Sequence, residues 1–236
     1  MRKTLMGASI VGVACLALAG LAYGAVQVAF KATVSPNKAK TPAGLKVHID
    51  VTDPAAEQPP IMNRIVIKLN AGGKYNGSKF PKCSLSKLTS GGPKACPGKS
   101  KIGSGTGVGY AKPVVTEPVN GKLTIFNGGS QIFVYVFPDL GPTFVTVGKV
   151  IHKRTGPYDY TLDFKIPPIK TLPSAPDASV GRVDTNTPRK TIRKGGKKIP
   201  LIVTPKKCKG SWKAQGEFYF ATGEKVVKPI SDKCKK

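Results

Sequence analysis

The chain has 236 residues and a formal net charge of +26, from 38 lysines and arginines against 12 acids. Its 27 glycines and 21 prolines are too many for a helical bundle, because both residues break helix interiors. A hydrophobic content of 40%, with aromatics spread along the chain, excludes wholesale disorder.

Residues 1–24 read as a secretory signal peptide: Arg2 and Lys3, an apolar run from Leu5 to Leu21, then small residues in Ala22-Tyr23-Gly24. The apolar run is also long enough for an uncleaved anchor, which would be the only membrane attachment expected of this chain. Cys15 follows Gly12-Val13-Ala14, a poor lipobox, so lipidation is not expected. Cleavage after residue 24 removes two basic residues and no acid, which leaves +24. Residues 25–236 read as a single domain, and the stretch 167–177, with four prolines, is where it would subdivide.

After the signal the hydrophobic period is two. Leu45, Val47, Ile49 and Val51 alternate with Lys46, His48 and Asp50, the pattern of a half-buried strand. Ile65, Ile67 and Leu69 repeat it beside Arg64 and Lys68. Gly92–Ser100 imitates a phosphate-binding loop, but five residues separate its glycines instead of four, and two prolines remove donors. Ile102–Gly109 lacks the dinucleotide spacing and reads as a strand, with glycines on one face and Ser104, Thr106 and Val108 on the other. Asn120-Gly121 predicts a two-residue hairpin between Val114–Val119 and Leu123–Phe126. Ile132–Phe137 is apolar throughout, as in a strand covered on both faces. Pro138–Pro142 joins it to Phe144–Val150, Tyr158–Ile166 alternates again, and Thr222-Gly223 turns between Phe218–Phe220 and Val226-Val227. About ten to twelve short strands, and no helical stripe after the signal, predict an all-β fold. The expected form is an antiparallel two-sheet β-sandwich, Ig-like or jelly-roll-like and stapled by disulfides.

The mature chain keeps Cys83, Cys96, Cys208 and Cys234. An even number in an exported protein implies two disulfides; of three pairings, Cys83–Cys96 and Cys208–Cys234 is the simplest. Each would add about 3–4 kcal/mol in the chain-entropy model. Their spacing does not suit a zinc site, and no cofactor or metal is expected. There is no Gly-x-Ser-x-Gly elbow, and no motif sets His48 or His152 against a nucleophile, so the chain reads as non-catalytic. A hydrolase of unrecognised type is the least favoured alternative.

The charge is mostly lysine, 32 against six arginines. Nucleic-acid readers lean on the bidentate guanidinium, so nucleic acid is not the expected partner. Two stretches hold ten basic residues each and no acid, one between Glu57 and Glu117, the other between Asp184 and Glu217. The second supplies the polyanion-binding candidates Lys190, Arg193, Lys194, Lys197, Lys198, Lys206, Lys207 and Lys209. Trp212 and Tyr219 are the candidates for a sugar-stacking platform, the mark of a carbohydrate-binding or adhesive module.

Phe80-Pro81-Lys82-Cys83-Ser84, Ala95-Cys96-Pro97 and Ser100-Lys101-Ile102-Gly103-Ser104-Gly105 resemble a group of exported actinobacterial proteins. Phe126-Asn127-Gly128, Ile166-Pro167-Pro168 and the ending Cys208…Trp212…Cys234 look like that group too. The resemblance implies an exported, disulfide-bonded β-protein and carries over no functional residue. Together these features predict a non-catalytic protein, secreted and associated with the cell envelope, whose lysine-rich faces meet anionic wall polymers or polysaccharides.

Overall fold

The structure is a computed structural model that describes residues 25–170 and 176–235. The signal segment, and part of the stretch where the chain would subdivide, lie outside the described residues. Strands β1 (Gln27–Ser35), β2 (Pro42–Thr52), β3 (Met62–Asn70) and β4 (Lys74–Tyr75) come first. A short helix α1 (Leu85–Gly91) follows, then β5 (Lys101–Ala111), β6 (Val115–Asn127), β7 (Gln131–Pro138), β8 (Phe144–Thr155) and β9 (Tyr158–Lys165). The last are β10 (Ser179–Thr187), β11 (Thr191–Lys194), β12 (Lys197–Pro200), β13 (Ile202–Val203), β14 (Ser211–Phe220) and β15 (Lys225–Lys233). The fold is all-β and antiparallel, as the period of two predicts.

Apart from β11 and β12, which pair only with each other, the strands form one continuous sheet in the order β15-β14-β3-β9-β8-β7-β6-β5-β10-β2, with β1 also on β2. A short extension, β13 and β4, continues from Pro42 and Ala43 of β2. Strands before and after 167–177 therefore belong to the same sheet. The sheet is rolled: β1 lies against β15, and Phe30 of β1 meets Phe218 of β14 edge-on at 5.7 Å. Beyond the strands the seam is parallel, with Ala39 N donating to Lys235 O at 3.1 Å and Lys235 N to Asn37 O at 2.9 Å. What the sequence presents as two packed layers are the facing walls of this rolled sheet.

Two glycine devices permit the roll. On β5, a Cβ at Gly105 would lie 2.1 Å from the Asp184 carbonyl of β10, so only a bare backbone can bend there. On β8, the Phe164 ring of β9 covers Gly148, where a Cβ would come within 2.3 Å of the ring. The edge strand β15 carries Pro229, and its Lys228 shares a face with the core residues Val226 and Ile230. Proline and an inward-facing charge both discourage pairing with a further strand.

The tightest core joins β1, β2, β3 and β14 around Met62, Val51 and Phe218, each at most 2% exposed. A second cluster lies on the outer face of the sheet. The Cys83–Cys96 disulfide (Cα–Cα 5.2 Å) holds the α1 segment so that fully buried Leu88 packs on Phe126 and Phe133, beside Tyr135, Val145 and Val147. The outer face of β7 is thus covered at Phe133 and Tyr135, whereas Phe137, which the apolar run also predicts to be covered, is 53% exposed. Helix α1 itself is not foreshadowed by any apolar stripe; its Ser84 cap accepts from Lys87 N, and Gly92 ends it at φ 63°.

One turn is placed differently from the sequence reading. Asn120-Gly121 is no hairpin: β6 runs unbroken through it, with Asn120 opposite Val108 and Gly121 opposite both Gly107 and Pro138. Neighbours on both sides hold the pair extended, so tertiary pairing overrides the local turn preference. Asn127, fully buried, ties β6 to the segment before α1. It accepts from Tyr75 OH (2.9 Å) and Gly129 N (3.1 Å), and donates to the Gly77 and Pro81 carbonyls (2.9 Å each).

Candidate functional site

Seven lysines converge at the end of the roll where β1 leaves and β15 arrives. Thr204, just after β13, organises the place: its Oγ1 donates to Lys38 O at 2.6 Å and accepts from Thr41 N at 2.9 Å. Lys40 N donates to Pro205 O at 2.9 Å. The Cys208–Cys234 disulfide (Cα–Cα 5.8 Å) and the bond from Cys234 N to Gly210 O then fix the final residues to the same loop. The result gathers Lys38, Lys40, Lys206, Lys207, Lys209, Lys233 and Lys235, all exposed. Asp232 lies among them, held by Asn37 Nδ2 at 3.2 Å. Of these, the sequence singles out only Lys206, Lys207 and Lys209. The rest carry no signal in the sequence because residues 38–40 and 233–235 reach the site only through the disulfide and the seam.

The other polyanion candidates sit on a hairpin at the same end. Gly195 and Gly196, both at positive φ, make the two-residue turn between β11 and β12. Ile192 pairs with Ile199, and both pack against a buried cluster that includes Leu201, Phe80 and Ile102. Arg193 stands directly opposite Lys198, and Lys194 opposite Lys197, all exposed. Like charges opposite one another destabilise a ladder unless an anion lies between them. Lys190 behaves differently: its Nζ donates to the Lys101 carbonyl, and burial, with Lys101 nearby, pushes its ammonium below the usual lysine range.

Trp212 and Tyr219 do not come together. Seven residues apart on β14, they project from opposite faces of the sheet. Trp212 is 6% exposed and its indole N–H has no partner. Tyr219 lies outside between two cations, Arg64 at 5.2 Å and Lys225 at 5.0 Å from its ring. Its hydroxyl donates to Glu217 at 2.7 Å, and Gln215 (2.8 Å), Lys225 (2.9 Å) and Lys68 donate to the same carboxylate. Burial would raise the Glu217 carboxyl, but these hydrogen bonds outweigh it and hold the group down at about 2.

The histidines are separate from each other and from the basic end. His48 Nδ1 lies 2.7 Å from Asp184 Oδ1 across β2 and β10, beside the Arg182–Asp50 pair at 2.8 Å. His152 stacks on Tyr160 with centroids 4.4 Å apart. Among the described residues no group of three His, Cys, Asp or Glu side chains converges as a metal ion would require.

The interior of the roll holds a cavity of about 330 Å³. Its wall comes from strands all around the sheet: Val34 of β1, Leu45 of β2, Val134 of β7, Leu162 of β9 and Ile230 of β15. At the end away from the lysines it reaches Pro138, Leu140 and Pro142 of the β7–β8 turn, where Leu140 is 48% exposed.

No protein-family model, curated protein or solved structure matches the chain.

Proposed function

We propose that this chain is exported and retained at the cell envelope as a non-catalytic protein, through attraction of its basic end to anionic wall polymers or acidic polysaccharides. The observation that supports this reading is the meeting of three distant segments, 37–40, 206–209 and 233–235, in one exposed lysine cluster. Two disulfides are compatible with an oxidising compartment. The hairpin adds opposed cations that an anionic chain would relieve. Lysine ammonium groups act as hydrated point charges, which suits loose, multivalent attachment to a polymer of variable conformation.

The test is sedimentation of the purified protein with purified bacterial cell wall over a salt series. Retention is expected at low salt and release as the screening length falls from about 10 Å at 0.1 M to about 3 Å at 1 M. Combined Lys206→Glu, Lys207→Glu and Lys209→Glu should elute at markedly lower salt than the parent. Retention indifferent to salt, or none at all, overturns the proposal.

A further inference from the structure

We infer that the rolled sheet holds a single long acyl chain in its interior. The inference rests on the cavity alone, which also reaches Thr204, Pro205 and Asp232 beneath the basic end. It starts from side chains that face inward yet fail to pack. Val134, Val136, Phe144, Val150 and Tyr160 line the cavity and belong to none of the buried clusters, unlike most inward residues of β1, β2, β3 and β14, Val34 and Trp212 excepted. Leu162, on the neighbouring position of β9, reaches the main core but remains partly accessible. One side of the roll is therefore filled by its own side chains and the other is not.

Size and shape select the occupant. The volume of about 330 Å³ lies at the lower end of small-molecule sites. The lining residues of β9 run from Tyr160 to Phe164 and continue to Ile166, and those of β7 run from Ile132 to Pro138. At the rise of a β-strand the latter span is roughly 20 Å. A space of that volume drawn out over that length is long and narrow, which suits an extended hydrocarbon chain. Water is a poor tenant, since each molecule needs two to four polar partners and the wall is mainly aliphatic and aromatic. Methylene groups lose nothing there and gain by leaving water.

The polar features lie towards the two ends. Ser179, at the start of β10 and towards the Leu140 turn, is buried and its hydroxyl has no partner. Trp212, near the far end, also lines the cavity and has an unpaired indole N–H. Leu140, Pro138 and Pro142 form an apolar lip through which a tail would enter, leaving its headgroup outside in the field of a strongly cationic protein. The ligand class is thus a single-chain amphiphile with an anionic head, either a free long-chain fatty acid or the tail of a single-chain lipid.

The experiment titrates the purified protein with the fluorescent fatty acid cis-parinaric acid and displaces it with palmitate, octanoate or palmitoyl lysophosphatidylglycerol. Saturable fluorescence is expected, with palmitate competing at least tenfold better than octanoate, because the shorter tail buries fewer methylenes. Displacement by palmitate alone assigns a free acid, and displacement by the lysolipid as well assigns a shared tail site. Val134→Trp, which fills the cavity, should weaken binding at least tenfold, while the Lys206, Lys207 and Lys209 reversal should leave tail discrimination intact. If Val134→Trp does not fold, native mass spectrometry of the wild-type protein with palmitate decides, with a one-to-one adduct expected. No saturable binding, equal competition by octanoate, unchanged binding in folded Val134→Trp, or no adduct each overturn the inference.

Discussion

Glu217 is a carboxylate on the outer face of β14, covered by the long side chains that bind it. Its partners Lys68, Gln215, Tyr219 and Lys225 lie on β3, β14 and β15, so one acid pins three adjacent strands. The group falls from 4.5 to about 2 on folding. A depressed carboxyl stabilises the fold fully above the unfolded value, and that contribution is lost as pH falls from about 4.5 towards 2. The shift corresponds to about 3 kcal/mol at neutral pH. Glu217→Gln should therefore be less stable than wild type at pH 7 by about that amount, and the gap should narrow below about pH 4.5 and close near pH 2. Urea denaturation across a pH series measures it; a gap that stays constant with pH would show that packing, not charge, is what the carboxylate contributes. Asn127 is a second residue of this kind, with both amide hydrogens donating to carbonyls and its oxygen accepting twice. It sits within the Phe126-Asn127-Gly128 run, and its visible role is structural.

At the scale of elements, strands with a clear two-residue period are legible in the sequence. β2, β3 and β9 alternate because one face meets the interior, and β7 is apolar on its other face where the α1 segment covers Phe133 and Tyr135. β6 misleads because Asn-Gly carries a strong local turn preference, whereas long-range pairing to β5 and β7 decides the outcome. Helix α1 escapes because seven residues are too few to show a stripe; only its Ser84 cap and Gly92 stop mark it. The glycine-rich β5 is legible as a strand, and close approach of the β10 backbone supplies the reason for its glycines. Gly105→Val should cost about 3 kcal/mol, because its Cβ would meet the β10 backbone, which cannot move like a side chain. Gly98→Ala, with nothing within 4 Å, should leave stability unchanged in the same thermal melt.

The whole molecule has two unlike ends. One gathers lysines from three segments and the opposed cations of the hairpin; the other opens the cavity beside Leu140. The first is legible in the sequence only at Lys206, Lys207, Lys209 and the hairpin, and the second not at all. Lys38 and Lys206 are far apart along the chain and meet through Thr204 and the Lys40–Pro205 bond. An inward leucine or valine has the same signature whether it packs tightly or borders a void. The Cys208–Cys234 bond links the end's architecture to its charge. Replacing both cysteines by serine should lower stability by about 3–4 kcal/mol. The same variant should leave the cell wall at lower salt, because residues 233–235 would no longer be tethered to the 206–209 loop. Unchanged elution in a folded double mutant would mean that the seam alone holds the cluster.

That seam has a temporal meaning as well as a spatial one. β1 opens the described chain and β15 all but ends it, yet the two lie side by side, and Lys235 completes the bonds between them. A polypeptide is made from its first residue to its last, so β1 has its neighbour on that side only once all the other described strands have been made. Until then one flank of β1 stays open and the roll cannot shut. Closure thus waits for β15, and removing residues 225–235 would leave almost all of the sheet without the strand that fastens it.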